Sequence, residues 1–117
     1  MLRGIRGAIT VKQNSADEII AATSRLLEEM VAINKIKIPD IASVIFSVTG
    51  EMDAAFPAEA ARKLGWRFTP LLCTYEISVK GSLSKCIRVL MHVNSKKPQK
   101  AIKAVYLEEA KKLREDI

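Results

Sequence analysis

Aromatic side chains are scarce in this chain, at one tryptophan, two tyrosines and three phenylalanines, 5% of its residues. A surface that stacks nucleic-acid bases needs aromatics interleaved with cations. Lys96, Lys97, Lys100, Lys103, Lys111 and Lys112 crowd toward the C-terminus without such a platform, so they read as a solvated face rather than a phosphate-binding one. No nucleic-acid partner is expected. Histidine occurs once, at His92, and cysteine twice, at Cys73 and Cys86. No Cys-x-x-Cys pair and no zinc-ligand spacing is present, which predicts that there is no metal site. The two cysteines read as free thiols packed like small hydrophobes. Long apolar runs are missing as well. Residues 41–50, the longest nearly uncharged stretch, reach about half the ~20 residues of a membrane span. Met1-Leu2-Arg3-Gly4 has no signal-peptide core. A cytoplasmic protein without a membrane partner is expected.

What is present fits an ordinary globular domain, with 49% hydrophobic and 27% charged residues. No repeat, linker or low-complexity tract divides the 117 residues, so residues 1–117 are expected to form one domain. Nineteen basic against thirteen acidic residues leave a net charge of +6, which favours an anionic ligand. A domain this small leaves about a third of its unfolded surface exposed, and packing against copies of itself would add core.

Residues 2–11 alternate as a strand, with Ile5, Gly7 and Ile9 on one face and Gly4, Arg6 and Ala8 on the other. Glycines beside an arginine suggest a recess with a cation in its floor; an edge strand with a solvated arginine is the alternative. Ser15-Ala16-Asp17-Glu18 is a capping-box signature that starts a helix. Its apolar stripe runs through Ile19, Leu26, Leu27 and Met30 to a left-handed cap at Asn34. Residues 42–49 are β-branched and alternate at Val44, Phe46 and Val48. Pro57 at a first helical position and Gly65 just past the end bracket a short helix. Residues 66–77 extend again and 85–93 alternate, with Arg88 facing away from the most apolar side. Residues 99–113 admit either a helix or a turn followed by a short last strand. Helices interspersed with strands predict an α/β (α+β) sandwich of sheet and helix layers.

Arg3-Gly4-Ile5-Arg6-Gly7-Ala8, then Ala55-Phe56-Pro57-Ala58-Glu59-Ala60-Ala61-Arg62, then Cys86-Ile87-Arg88-Val89 and Val105-Tyr106-Leu107, resemble the small monofunctional chorismate mutases of the trimeric α/β type. The four motifs stand in register across nearly the whole chain. The resemblance implies a pseudo-α/β-barrel homotrimer, with a mixed sheet packed against helices and active sites between subunits. It implies an isomerase that rearranges chorismate to prephenate, on the way to phenylalanine and tyrosine. That reaction is intramolecular and concerted, so no cofactor, metal or nucleophile is called for. The absence of a possible Ser-His-Asp set and of a phosphate-cradling glycine loop agrees.

Chorismate carries two carboxylates, and negative charge builds on its ether oxygen as the bond breaks. A fixed guanidinium suits both tasks. By the resemblance, Arg88 is the cation at the ether, Arg6 the partner of the side-chain carboxylate, and Tyr106 a phenol donor to the same ligand. Glu76 and Cys73 match the pair near the ring hydroxyl. Phe56, Ala58 and Arg62 match the wall lent by a neighbouring subunit, and Leu113 with Arg114 the C-terminal segment that closes over substrate. Two positions depart from relatives: Glu59 stands where some carry lysine, and Leu72 replaces a threonine. Without the resemblance, Arg88 reads more readily as a paired or edge arginine than a catalytic one, Glu76 as its salt-bridge partner, Tyr106 as core with its hydroxyl at the rim, and Cys73 as packing. A carboxylate-binding or deaminase-type trimer of similar architecture is the competing enzyme-like reading, separable by turnover of chorismate against imines.

Overall fold

A computed structural model describes residues 1–116 of the chain, with side chains through Leu113. The alternation at the N-terminus becomes strand β1 (Leu2–Thr10), whose Ile5 and Ile9 are buried beneath helix α1 (Ala16–Ile33). Gly7 shares that inner face. A Cβ built on it would stand 2.5 Å from Met30 Sδ, so the close approach it permits is that of a helix, not of a ligand. Gly4, on the Arg6 face, has ordinary room, with Leu90 Cδ1 3.6 Å from the corresponding position.

Ser15 caps α1 by accepting from the Glu18 N–H at 3.2 Å. The reciprocal half of the capping box does not form. The Glu18 carboxylate accepts instead from the amides of Lys12 and Gln13, fastening the turn between β1 and α1. The helix end also differs from expectation: Asn34 is right-handed, at φ −95°, and Lys35 takes the left-handed position at φ 53°. Asn34 is buried, and its amide donates to the Met30 and Lys103 carbonyls at 3.0 Å while accepting from the Lys103 N–H at 2.9 Å. Its side chain ties the C-terminal third of the chain to α1, a task that a capping backbone could not perform.

Strand β2 (Ile41–Val48) buries Val44, Phe46 and Val48, as its alternation predicts. Helix α2 (Ala58–Lys63) packs Ala58, Ala60 and Ala61 into the core. Pro57 is its N-cap rather than its first residue, and Gly65 beyond it has φ 88°. Strands β3 (Leu71–Tyr75) and β4 (Cys86–Asn94) follow. The segment after residue 98 takes the second of the two expected forms: a 3-10 turn (Gln99–Ala101), strand β5 (Val105–Leu107) and a 3-10 segment (Glu108–Asp116). Pairing with β1 (Gly7 with Val105, Ile9 with Leu107) buries Val105 and Leu107, a return that the lysine-rich sequence would not get from an exposed helix.

The five strands form one mixed sheet in the order β3-β2-β4-β1-β5, with β4 antiparallel to both neighbours and the outer pairs parallel. Both helices cover one face, giving the α+β layering expected. On the opposite face, Ala110 of the C-terminal segment packs on Ala8 and Cys86, with Leu83, Tyr106 and Leu113 around them. Ahead of the start of β5, the Gln99 side chain substitutes for a strand: its Oε1 accepts from the Gly4 N–H at 3.0 Å and its Nε2 donates to the Gly4 carbonyl at 2.7 Å.

Candidate active site

Sheet register sets the geometry of the face opposite the helices. Arg88, on central strand β4, is flanked by Ala8 of β1 and Ser47 of β2, and Ala8 is flanked in turn by Tyr106 of β5. Laterally paired residues project to the same side of a sheet, so Ser47, Arg88, Ala8 and Tyr106 form one row. Two residues along lies a second row, Ile45, Leu90 and Arg6. Arg6 and Arg88 are therefore diagonal neighbours on adjacent strands, within reach of one small molecule. The methyl of Ala8 leaves space between the long side chains. A hollow of about 330 Å³ results, lined by Arg6, Ser47, Glu76, Arg88, Tyr106 and Leu113 among others.

Glu76 follows β3 directly, and its N–H donates to the Val48 carbonyl at 2.8 Å, carrying the β2–β3 ladder one residue further. This fixes its backbone at the rim. Its Oε1 accepts from Ser47 Oγ at 2.8 Å, and Arg88 Nε stands 3.6 Å from the same oxygen. The Arg88–Glu76 pair is partly solvated, at 44% and 33% side-chain exposure, and the separation exceeds hydrogen-bonding distance. With two guanidinium groups and one carboxylate, the hollow is net cationic. Beside it lies Cys86, whose thiol burial pushes up to about 11 despite the opposing charge of Arg88, so at neutral pH it is a protonated, apolar filler.

Five of the ten residues expected at a site thus share one hollow: Arg6, Glu76, Arg88, Tyr106 and Leu113. Cys73 does not join Glu76 there. It pairs with the buried Phe46, on the helix-covered side, and lines a second hollow of about 500 Å³ together with Phe56 and Glu59. Ala58 is buried in α2, and Arg62 borders a third hollow of about 320 Å³ with Trp66 and Arg67. The side chain of Arg114 lies outside the described residues. Ser47, which the sequence does not mark as a site residue, also lines this hollow of Arg6 and Arg88. The only sign in the sequence is a hydroxyl on the outward side of β2, which does not set Ser47 apart from Ser43 on the same face.

Among the described residues, no three His, Cys, Asp or Glu side chains gather as a metal site would require, and no helix is long and apolar enough to cross a membrane. The C-terminal lysines are partly engaged, Lys97 Nζ with the Asn34 carbonyl at 3.4 Å and Lys112 with Glu109 at 2.9 Å. Chemically, the hollow shared by Arg6 and Arg88 offers two cations, a phenol and one acceptor carboxylate. It suits a compact polyanion bearing a hydroxyl.

Residues 2–117 match the family model described as chorismate mutase type I. The chain is 44% identical to chorismate mutase AroH of Bacillus subtilis, across 100% of this chain and 93% of that protein. It is 48% identical to chorismate mutase AroH of Thermus thermophilus, across 100% of this chain and 97% of that protein. The solved structure of a chorismate mutase from Clostridium thermocellum superposes with a TM-score of 0.91 at 58% identity, covering 92% of this chain and 96% of the other. A shared fold at that identity, with a match along essentially the whole sequence, establishes that the chain belongs to the type I chorismate mutase family.

Proposed function

We propose that this chain is an isomerase that converts chorismate to prephenate in phenylalanine and tyrosine biosynthesis, acting as a single-domain homotrimer in the cytoplasm, without a cofactor. The observation that carries the reading is the sharing of one hollow by Arg6 and Arg88, with Glu76 Oε1 3.6 Å from Arg88 Nε, beyond direct hydrogen bonding. Arg6 and Tyr106 hold the carboxylate of the enolpyruvyl side chain, which places that group over the ring and converts a floppy substrate into a near-reactive one. Arg88 faces the ether oxygen. Charge develops there only as the bond breaks, so a guanidinium already in place favours the transition state over the substrate. Glu76 accepts the ring hydroxyl. No proton need leave carbon and no covalent adduct forms, so the inert, protonated Cys86 beside Arg88 is no obstacle.

The protomer's hollow is open on one side, and Phe56, Ala58, Arg62 and Cys73 lie elsewhere in the chain. In the proposed trimer a neighbouring copy presents Phe56 and Arg62 as the second wall, backed by the buried Ala58 of α2. Exposed apolar side chains support the assembly: Leu72 on edge strand β3, Ile77 and Val79 just after it, and Phe68, which is 95% exposed. Free Cys73 and Cys86 fit a reducing compartment.

The test is loss of chorismate absorbance with purified protein and no additives. Replacing Arg88 by citrulline, its neutral isostere, should lower kcat by ~10² to 10³-fold, the scale of a lost oxyanion donor, while affinity falls less. A retained kcat defeats charge stabilisation at the ether. Mixing inactive Arg88 and Arg62 variants should restore activity through hybrid sites, and trimers without complementation would put the whole site in one chain.

A further inference from the structure

We propose that Ser47 is a positioning residue for this reaction, a hydroxyl that holds Glu76 in place and keeps Arg88 from collapsing onto it. The inference rests on the reading above that Arg88 meets the ether oxygen. A guanidinium beside a carboxylate ordinarily closes into a two-bond fork. Here it has not: the nearest approach is Arg88 Nε to Glu76 Oε1 at 3.6 Å, and that same oxygen is occupied by Ser47 Oγ at 2.8 Å. Ser47 is suited to the task by register. It lies directly across the β2–β4 ladder from Arg88, so its short side chain sits beside the root of the longer one and meets the carboxylate arriving from the end of β3. Its row neighbour on the far side of Arg88 is Ala8, and its strand neighbour on the same face is Ile45, neither of which carries a side-chain donor.

The consequence is a division of labour between the two carboxylate oxygens. Oε1 is held by the protein, and Oε2 stays available to accept a substrate hydroxyl. With Oε1 bonded to a neutral donor, Arg88 keeps its terminal nitrogens for the ligand. Remove the hydroxyl, and the carboxylate can rotate and draw Arg88 into a direct fork, so the cation is spent on the protein. Ser47 touches no reacting atom in this scheme and acts through Glu76 and Arg88.

Steady-state turnover of chorismate by the full chain tests it with five proteins: wild type, Ser47→Ala, Ser47→Thr, Glu76→Gln, and Ser47→Ala combined with Glu76→Gln. Ser47→Ala should lower kcat about ten-fold, the effect of a lost hydrogen bond to a charged group, with KM changing less than about three-fold. Ser47→Thr keeps the hydroxyl and should recover to within about two-fold of wild type. With Glu76 uncharged nothing pulls on Arg88, so adding Ser47→Ala to Glu76→Gln should cost less than about two-fold more. Equal losses in the two backgrounds, or a threonine variant as poor as alanine with an unchanged melting midpoint, overturn the proposal. Should Ser47→Ala fail to fold, the nearly isosteric Ser47→Cys, a weak donor, reads the same loss, and wild-type kcat in that variant is equally fatal. A wild-type protein that leaves chorismate untouched instead overturns the functional reading itself.

Discussion

Replacing Gly7 by alanine adds one methyl group at the tightest contact between the sheet and its helix. That Cβ would stand 2.5 Å from Met30 Sδ, 3.1 Å from Leu26 Cδ1 and 3.2 Å from Met30 Cε. Relaxed heavy-atom contacts lie at about 3.5 to 4.0 Å, so Met30 must retreat by an ångström or more. Met30 Sδ and Cε end a flexible side chain, but with Met30, Leu26, Leu27 and Ile5 all fully buried the retreat must displace packed neighbours. Overpacking of this kind costs about 1 to 3 kcal/mol. The midpoint of thermal unfolding should fall by several degrees, measured at one fixed protein concentration because binding between copies would make it concentration-dependent. Truncating Met30 to alanine ordinarily costs about 2 to 5 kcal/mol, yet in the Gly7→Ala background it should cost at least ~1 kcal/mol less, because it opens the space that the new methyl needs. Gly65→Ala serves as the control. At φ 88°, with no atom within 4 Å of the added Cβ, it should cost about 1 kcal/mol through backbone strain alone and show no coupling to Met30. Additive costs for Gly7→Ala and Met30→Ala would refute the steric account. A Gly7→Ala protein of full stability but no turnover would return the glycine to the ligand side of the sheet.

Asn34→Ala removes a buried amide and strands the carbonyls of Met30 and Lys103 and the Lys103 N–H, so denaturant titration should show a loss of about 2 to 3 kcal/mol, with little relief from Asn34→Asp, which restores no donor. The Lys85 N–H bonded to Glu51, with the Thr49 hydroxyl at 2.7 Å, holds the Glu51 carboxyl below its ordinary 4.5. Its contribution to stability is therefore present above that value and lost as pH falls through the lower folded one. As pH falls below about 4.5, the wild type should lose more of its denaturation midpoint than Glu51→Gln does. Cys86, pushed up to about 11, should stay unmodified by iodoacetamide at pH 8 in a folded Cys73→Ser protein and react once denatured, as read by mass spectrometry.

Much of the fold is legible from periodicity. The alternation of Val44, Phe46 and Val48, and the stripe from Ile19 to Met30, report burial directly, because one face of each element meets the core. The features that escape are those in which a polar side chain serves a distant segment. Asn34 looks like a helix cap, and the partner that recruits it, Lys103, is 69 residues away. Glu18 looks like half of a capping box, and local competition from two earlier amides decides otherwise. Gly7 and its flanking arginine read as a ligand recess because sequence shows that a glycine is needed without showing which face needs it. At the candidate site, the meeting of Arg6, Arg88 and Tyr106 depends on strand order, which motif resemblance supplies and alternation does not. Ser47 belongs to no motif, and only the register opposite Arg88 gives it a role.

The Gln99 amide at Gly4 bears on how such a molecule avoids unwanted company. Strand β5 is three residues long, and much of β1 would otherwise show bare amides and carbonyls along its outer margin. A row of that kind recruits stray strands from other chains. By spending one donor and one acceptor on Gly4, Gln99 blunts the margin without the rigidity of another strand, so a stray backbone finds fewer free partners there.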